Sequence, residues 1–228
     1  MKIDILTLFP NMFDGVFTES IIKRAKEKGL IDINIINFRD YSTDLHHKVD
    51  DTPYGGGAGM VLACEPIYRC LNAIKTENSK VILLTPDGEI FKEKIASGLA
   101  KETHLILICG HYEGFDERIK NFVDMEISIG DYILTGGEIP AMALVDAITR
   151  LIPGVINEQS YTDDSFYNNY LLDYPTYTKP QIFEGLEVPE ILLSGNHKKI
   201  EEWRREMSIQ KTQERRPDLW EMYNDKRD

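Results

Sequence analysis

Two uninterrupted apolar runs constrain this 228-residue chain more than any other feature: Val81-Ile82-Leu83-Leu84 and Leu105-Ile106-Leu107-Ile108-Cys109. A strand with one wet face alternates apolar and polar residues. A strand apolar at every position must be covered on both faces, which is the condition of a parallel sheet between helices. Ile90–Leu99, between the runs, has helical spacing. The rest of the first half repeats the alternation. Lys2–Phe9 reads as a strand stopped by Pro10, and Ile31–Phe38 as another. Met12, Phe13, Val16, Phe17, Ile21, Ile22 and Ala25 predict one helix over Met12–Lys28, with Gly29 at its stop. Pro66–Ile74 reads as a short helix, Val123–Ile129 as a strand and Ile139–Leu151 as a helix. The fold class is α/β.

The second half changes character. Residues 157–178 contain no Lys or Arg but hold five of the eleven tyrosines. They read as a linker, or as a loop that orders on binding. Residues 196–228 read as charged helices anchored by Trp203 and Trp220. The expected organisation is an α/β domain over 1–156, a linker over 157–178 and a small helical domain over 179–228.

Net charge is -12, which argues against a simple nucleic-acid binder. The charge is uneven, however. Residues 191–217 carry Lys198, Lys199, Arg204, Arg205, Lys211, Arg215 and Arg216 against Glu201, Glu202, Glu206 and Glu214. A locally cationic tail on an acidic body can engage phosphates, although a solvated helical face has the same composition. No apolar run reaches the roughly 20 residues of a membrane helix, and Asp4 interrupts the apolar start, which reads against a secretory signal. Cys64, Cys70 and Cys109 lack CxxC spacing, so reduced thiols in a cytoplasm are expected and a cysteine-based metal site is not. HExxH, a GxGxxG after the first strand and GxxxxGK[ST] are all absent, which disfavours zinc-protease, nicotinamide and ATP chemistry.

Glycine marks where the chemistry should lie. Four of the sixteen glycines fall in Tyr54-Gly55-Gly56-Gly57-Ala58-Gly59-Met60, and five between Gly110 and Gly137. Such clusters let backbone approach a ligand; plain flexible loops would look the same. The second cluster is placed more tellingly. Three strands run straight into Thr85-Pro86-Asp87-Gly88, Gly110-His111-Tyr112-Glu113-Gly114 and Gly130-Asp131-Tyr132-Ile133-Leu134-Thr135-Gly136-Gly137. Ligands of open α/β sheets bind outside the carboxyl ends of strands. These ends predict one pocket with backbone polar groups, two tyrosine rings and the Glu113 carboxylate, suited to a flat base bearing a cationic amine. Arg150 and Thr162-Asp163-Asp164-Ser165-Phe166 could pair a proton acceptor with a charge-stabilising cation. Helix capping by the acidic string, and a cation closing a helix at Arg150, are the structural alternatives.

Six strings, in order along most of the chain, resemble bacterial tRNA (guanine-N1-)-methyltransferases of the SPOUT superfamily. They are Tyr54–Met60, Cys109–Gly114, Ser128–Tyr132 with Gly136-Gly137-Glu138, Arg150–Val155, Asp163–Phe166 and Leu193–His197. The resemblance implies an α/β domain with a deep trefoil knot, S-adenosylmethionine as methyl donor, a homodimer, tRNA as substrate and N1 of guanosine 37 as target. Carried across residue by residue, the cofactor loops are Leu84 and Pro86; Gly110, Tyr112 and Glu113; Ser128, Ile129, Gly130, Asp131, Tyr132, Ile133 and Leu134; and Gly136 and Gly137. Asp164, reaching across the dimer interface, is the implied general base and Arg150 its oxyanion-type partner. Gly55, Gly56, Gly57 and Gly59 would lie near the target guanosine. Thr52 stands before Pro53 where the family often carries Arg, which removes one candidate phosphate contact. The end at Asp228 is early and would trim the helical domain. Another SPOUT RNA methyltransferase, or a non-catalytic RNA-binding module on the same scaffold, are the competing readings.

Overall fold

The computed structural model describes every residue except Asp163, Asn168, Asn169 and 226–228, and omits the side chains of Gln159 and Thr162. Among these residues the chain forms two compact units, Met1–Asn157 and Glu158–Asp228.

The first unit is built on five parallel strands: β1 (Lys2–Thr7), β2 (Asp32–Asn37), β5 (Ser79–Ile90), β6 (His104–Cys109) and β7 (Met125–Ser128), in the spatial order β2-β1-β6-β5-β7. The all-apolar strands are central, as their lack of a polar face demands. Val81, Leu83, Ile106 and Ile108 point to one face, where they bury Ile67, Cys70 and Leu71 of helix α2 (Cys64–Ile74). Ile82, Leu105 and Leu107, at alternate positions, are equally buried. Helices α1 (Ser20–Glu27), α3 (Glu93–Leu99) and α4 (Glu138–Thr149) also join this unit, with α4 packed on β6, α1 and α3. A short antiparallel pair, β3 (Asp50–Asp51) with β4 (Val61–Leu62), frames the first glycine cluster.

Two elements differ from the sequence expectation. Met12–Lys28 is not one helix. Pro10–Phe13 and Val16–Thr18 are separate 3-10 turns before α1. Pro10 and Gly15 interrupt the spacing, and Phe13 and Phe17 are buried by stacking at 5.4 Å. Conversely, Thr85–Gly88 does not end its strand. Leu84 and Glu89 both register on Ile127, so the four residues bulge out and β5 resumes to Ile90. Lys120 Nζ pins this bulge, bridging Asp87 at 3.3 Å, Glu117 at 3.1 Å and Glu126 at 3.3 Å.

The amino ends of four strands are tied by a buried polar network. Asp4, with its side chain 1% exposed, accepts from His104 Nε2 at 2.9 Å, Lys2 Nζ at 2.7 Å and Asn34 Nδ2 at 2.9 Å. His104 Nδ1 in turn meets Ser79 Oγ at 2.7 Å.

The second unit contains α5 (Gln159–Thr162), the hairpin β8 (Ile182–Phe183) with β9 (Leu186–Glu187), and α6 (Glu190–Leu193), α7 (His197–Arg215) and α8 (Pro217–Asp225). Asn196 caps α7 by accepting from Lys199 N. The capping alternative requires a helix to begin at Phe166, but Phe166 has φ +74, outside the helical region. Residues 172–174 of the tyrosine-rich stretch lie along α7. Leu172 N donates to Thr212 Oγ1 at 2.8 Å, Lys211 Nζ to Asp173 O at 2.8 Å, and Arg204 stacks 4.7 Å from the Tyr174 ring centre.

Candidate active site

The bulge of β5 and the carboxyl ends of β6 and β7 open on one cavity of about 380 Å³, within the range of small-molecule sites. Leu84, Thr85 and Pro86 line it from the β5 bulge. Gly110, His111, Tyr112, Glu113, Gly114 and Phe115 line it from the end of β6. Ile127, Ser128, Ile129, Gly130, Tyr132, Ile133, Leu134, Thr135, Gly136, Gly137 and Pro140 complete it from β7 and the chain leading into α4. Asp131 is not on the lining and is exposed. His111 and Thr135 stand in the strand-end strings without a role of their own, and Phe115 lies just outside them. Their only sequence signal is adjacency to the glycines at the same strand ends.

The path after β7 shapes this cavity. β7 is the edge strand beyond β5, yet the chain returns across the end of β5 to β6. Gly136 bridges His111, and Gly137 N donates to Gly110 O at 2.9 Å. Gly137 lies flat on β6: a Cβ there would stand 2.7 Å from Cys109 Cα and 2.8 Å from Gly110 N, closer than real side chains approach. Behind it Glu138, 2% exposed, accepts from Thr7 Oγ1 at 2.7 Å through Oε1. Burial, reinforced by this carboxylate, pushes the Cys109 thiol well above its ordinary range, so Cys109 is an inert packing residue. Tyr112 holds φ +59, a left-handed backbone that costs a tyrosine energy and clusters at functional sites. It stacks edge-on against His111, which also meets the Phe9 ring at 4.6 Å.

The first glycine cluster touches the cavity wall only at its far end. Gly55, Gly56 and Gly57 are exposed. Gly59 has φ +82 and abuts the Glu113 carboxylate so tightly that any side chain would overlap it. From there the chain is zipped to the wall: Glu113 N donates to Met60 O at 3.0 Å, Leu62 N to Gly114 O at 2.9 Å and Asp116 N to Leu62 O at 2.8 Å. Arg150 closes α4, its N–H meeting the last-turn carbonyls. In the second unit Asp164 follows α5, donating its N–H to Tyr161 O at 3.4 Å. The neighbouring Asp163 lies outside the described residues. Among the described residues no group of three His, Cys, Asp or Glu side chains could hold a metal ion, and no helix is long and apolar enough to cross a membrane.

Fold and site define a class: an α/β enzyme that takes a small ligand at the carboxyl edge of a parallel sheet. Comparison with known proteins narrows it. The chain belongs to the tRNA (Guanine-1)-methyltransferase TrmD family, whose model matches residues 1–222. It is 60% identical over 223 residues to a tRNA (guanine-N(1)-)-methyltransferase of Malacoplasma penetrans, covering 98% of both chains. It is 58% identical over 225 residues to one of Macrococcus caseolyticus, covering 98% of this chain and 93% of the relative. A Dictyoglomus turgidum protein of the same name is 54% identical over 221 residues, covering 97% and 90%. Members of this family are S-adenosylmethionine-dependent tRNA guanine-N1 methyltransferases, and this chain is one by membership.

Proposed function

We propose that the strand-end cavity holds S-adenosylmethionine and that the protein methylates N1 of guanosine 37, next to the anticodon, with Asp164 as general base. The cavity carries the reading. Gly110, Glu113, Ser128, Gly130, Gly136 and the apolar Leu84, Ile127, Leu134 and Pro140 line one space of about 380 Å³. Glu113 suits the donor's ammonium group, and the 128–134 backbone suits the edges of its adenine. When bound, the donor supplies an electrophilic methyl group on a positively charged sulfur.

The protein's remaining task is to prepare the nucleophile. N1 of guanine carries a proton at neutral pH and has no free lone pair. Asp164 takes that proton, and Arg150 offsets the negative charge that gathers on O6. A positioned base contributes roughly 10²–10⁴-fold, and an oxyanion donor about 10²–10³-fold. Holding N1 in line with the methyl group supplies the rest. The apolar walls favour the step because charge on sulfur is neutralised as it proceeds.

Three further features belong to this reading. The return of the chain from edge strand β7 across β5 to Gly110 supports a trefoil knot around the cavity, an exception to the general rule against knots. Phe9, Met12, Val16 and Ile139, each 37–50% exposed in the first unit, support a homodimer. Asp164 would then be contributed across the interface. The cationic α7 supports a helical tRNA-binding domain over 179–228 joined through 157–178, with Gly55–Gly59 near the target guanosine. A cytoplasmic location accords with a tRNA substrate.

The test is transfer from labelled S-adenosylmethionine to tRNA transcripts differing only at position 37, with the product mapped. Label should appear at N1 of guanosine 37 and nowhere else. Asp164→Ala and Arg150→Ala should each lose most turnover while cofactor affinity persists. Near-normal methylation by Asp164→Ala refutes the base assignment.

A further inference from the structure

Tyr54 is fully exposed, and among the described residues no large apolar or aromatic side chain is more so. A ring left wholly in water contributes nothing to folding. Its position is nonetheless fixed at one end, because the loop it tops is framed by β3 and β4 and hydrogen-bonded through Met60 and Leu62 to Glu113, Gly114 and Asp116 on the cavity wall. Tyr54 sits in a turn closed by Gly56 N donating to Pro53 O at 3.2 Å, and Gly55, Gly56 and Gly57, with φ of +87, +80 and +138, put no side chain beside its ring.

The charges around it say what it can bind. No Lys or Arg occurs between Lys48 and Arg69, and the loop's stem is Asp50-Asp51, where the adjacent cation, Lys48, is paired with Asp51 at 3.1 Å. A phosphate would be repelled there, whereas the face of a base would not. The nearby cation, Arg118, is already forked onto Asp116, with Nε donating to Oδ1 at 2.9 Å.

We propose that Tyr54 is a base-stacking residue, its ring taking the face of the nucleobase beside the target guanine. An enzyme acting on a base draws it out of its stack and leaves the neighbour's face bare. An aromatic ring covers such a face whatever the base is, because every base has a π-face. The inference rests on the functional reading above and adds a substrate-positioning residue to it.

The test uses an anticodon stem-loop RNA with 2-aminopurine beside the target guanosine and the intact protein carrying Tyr54, Tyr54→Phe or Tyr54→Ala. Fluorescence on binding reports stacking directly. Parent and Tyr54→Phe should quench it. Tyr54→Ala should lose the quench and about 5- to 100-fold in kcat/KM for RNA, with S-adenosylmethionine affinity unchanged. Equal quenching and turnover in Tyr54→Ala overturns the stacking role alone. Absence of methyl transfer by the parent protein overturns the functional reading, and this inference with it.

Discussion

Replacing Asp4 by alanine removes the shared acceptor of three donors at the amino edge of the sheet. The cost follows from how each donor can recover. Lys2 has a side chain 43% exposed, so it rehydrates and its pair is worth about 0–1 kcal/mol. His104, with a side chain only 5% exposed, and the partly buried Asn34 lose hydrogen bonds to a carboxylate, about 1.5–3 kcal/mol each. Together these losses come to about 3–5 kcal/mol. For a chain of this length that is a fall of about 6–20 °C in Tm, readable by circular dichroism at pH 7. Asp4→Asn keeps the volume but not the charge and should fall by less. Burial by itself would raise the Asp4 pKa, but hydrogen bonds from Lys2, Asn34 and His104 together hold it below its ordinary 3.8. A carboxyl depressed in the folded state stabilises fully above its unfolded value and loses that stabilisation as pH falls through the folded one. The Tm gap between parent and Asp4→Asn should therefore shrink as pH falls below about 4. A melting point for Asp4→Ala within 2 °C of the parent, or a gap that widens in acid, would sink the argument.

Two more outcomes follow from the site. Gly137→Ala forces a methyl group onto the Cys109 backbone; overpacking of this kind costs about 1–3 kcal/mol. It should lower S-adenosylmethionine affinity several-fold by calorimetry, and an unchanged affinity would show the close approach to be dispensable. Mixing Asp164→Ala with Glu113→Ala protomers should restore about a quarter of parental turnover, because half of randomly paired dimers carry one intact site. No recovery on mixing argues against a site shared between protomers.

What could be read in advance followed from local physics. Runs apolar at every position can only be buried strands, so the parallel sheet was legible at Val81–Leu84 and Leu105–Cys109. Glycines directly after strands marked the edge at which the cavity opens. Boundaries were less legible, because they depend on what each end meets. The Met12–Lys28 spacing was helical in register, but Phe13 and Phe17 satisfy their burial by stacking on each other across two separate turns. Thr85–Gly88 carried the signals of a turn and became a bulge, because β7 offers β5 a second length of pairing beyond it.

The sequence by itself determined the layers of the first unit and which strand ends are rich in glycine, since hydrophobic period and glycine content act over a few residues. Only the tertiary structure decided which distant groups meet. Thr7 finds Glu138 across 131 positions, Asp4 finds His104 across 100, and Gly137 returns to Gly110 over an intervening strand. Hydrogen bonds and steric contacts of this kind reach only about 3 Å, and no local pattern encodes which remote segment will arrive within that distance.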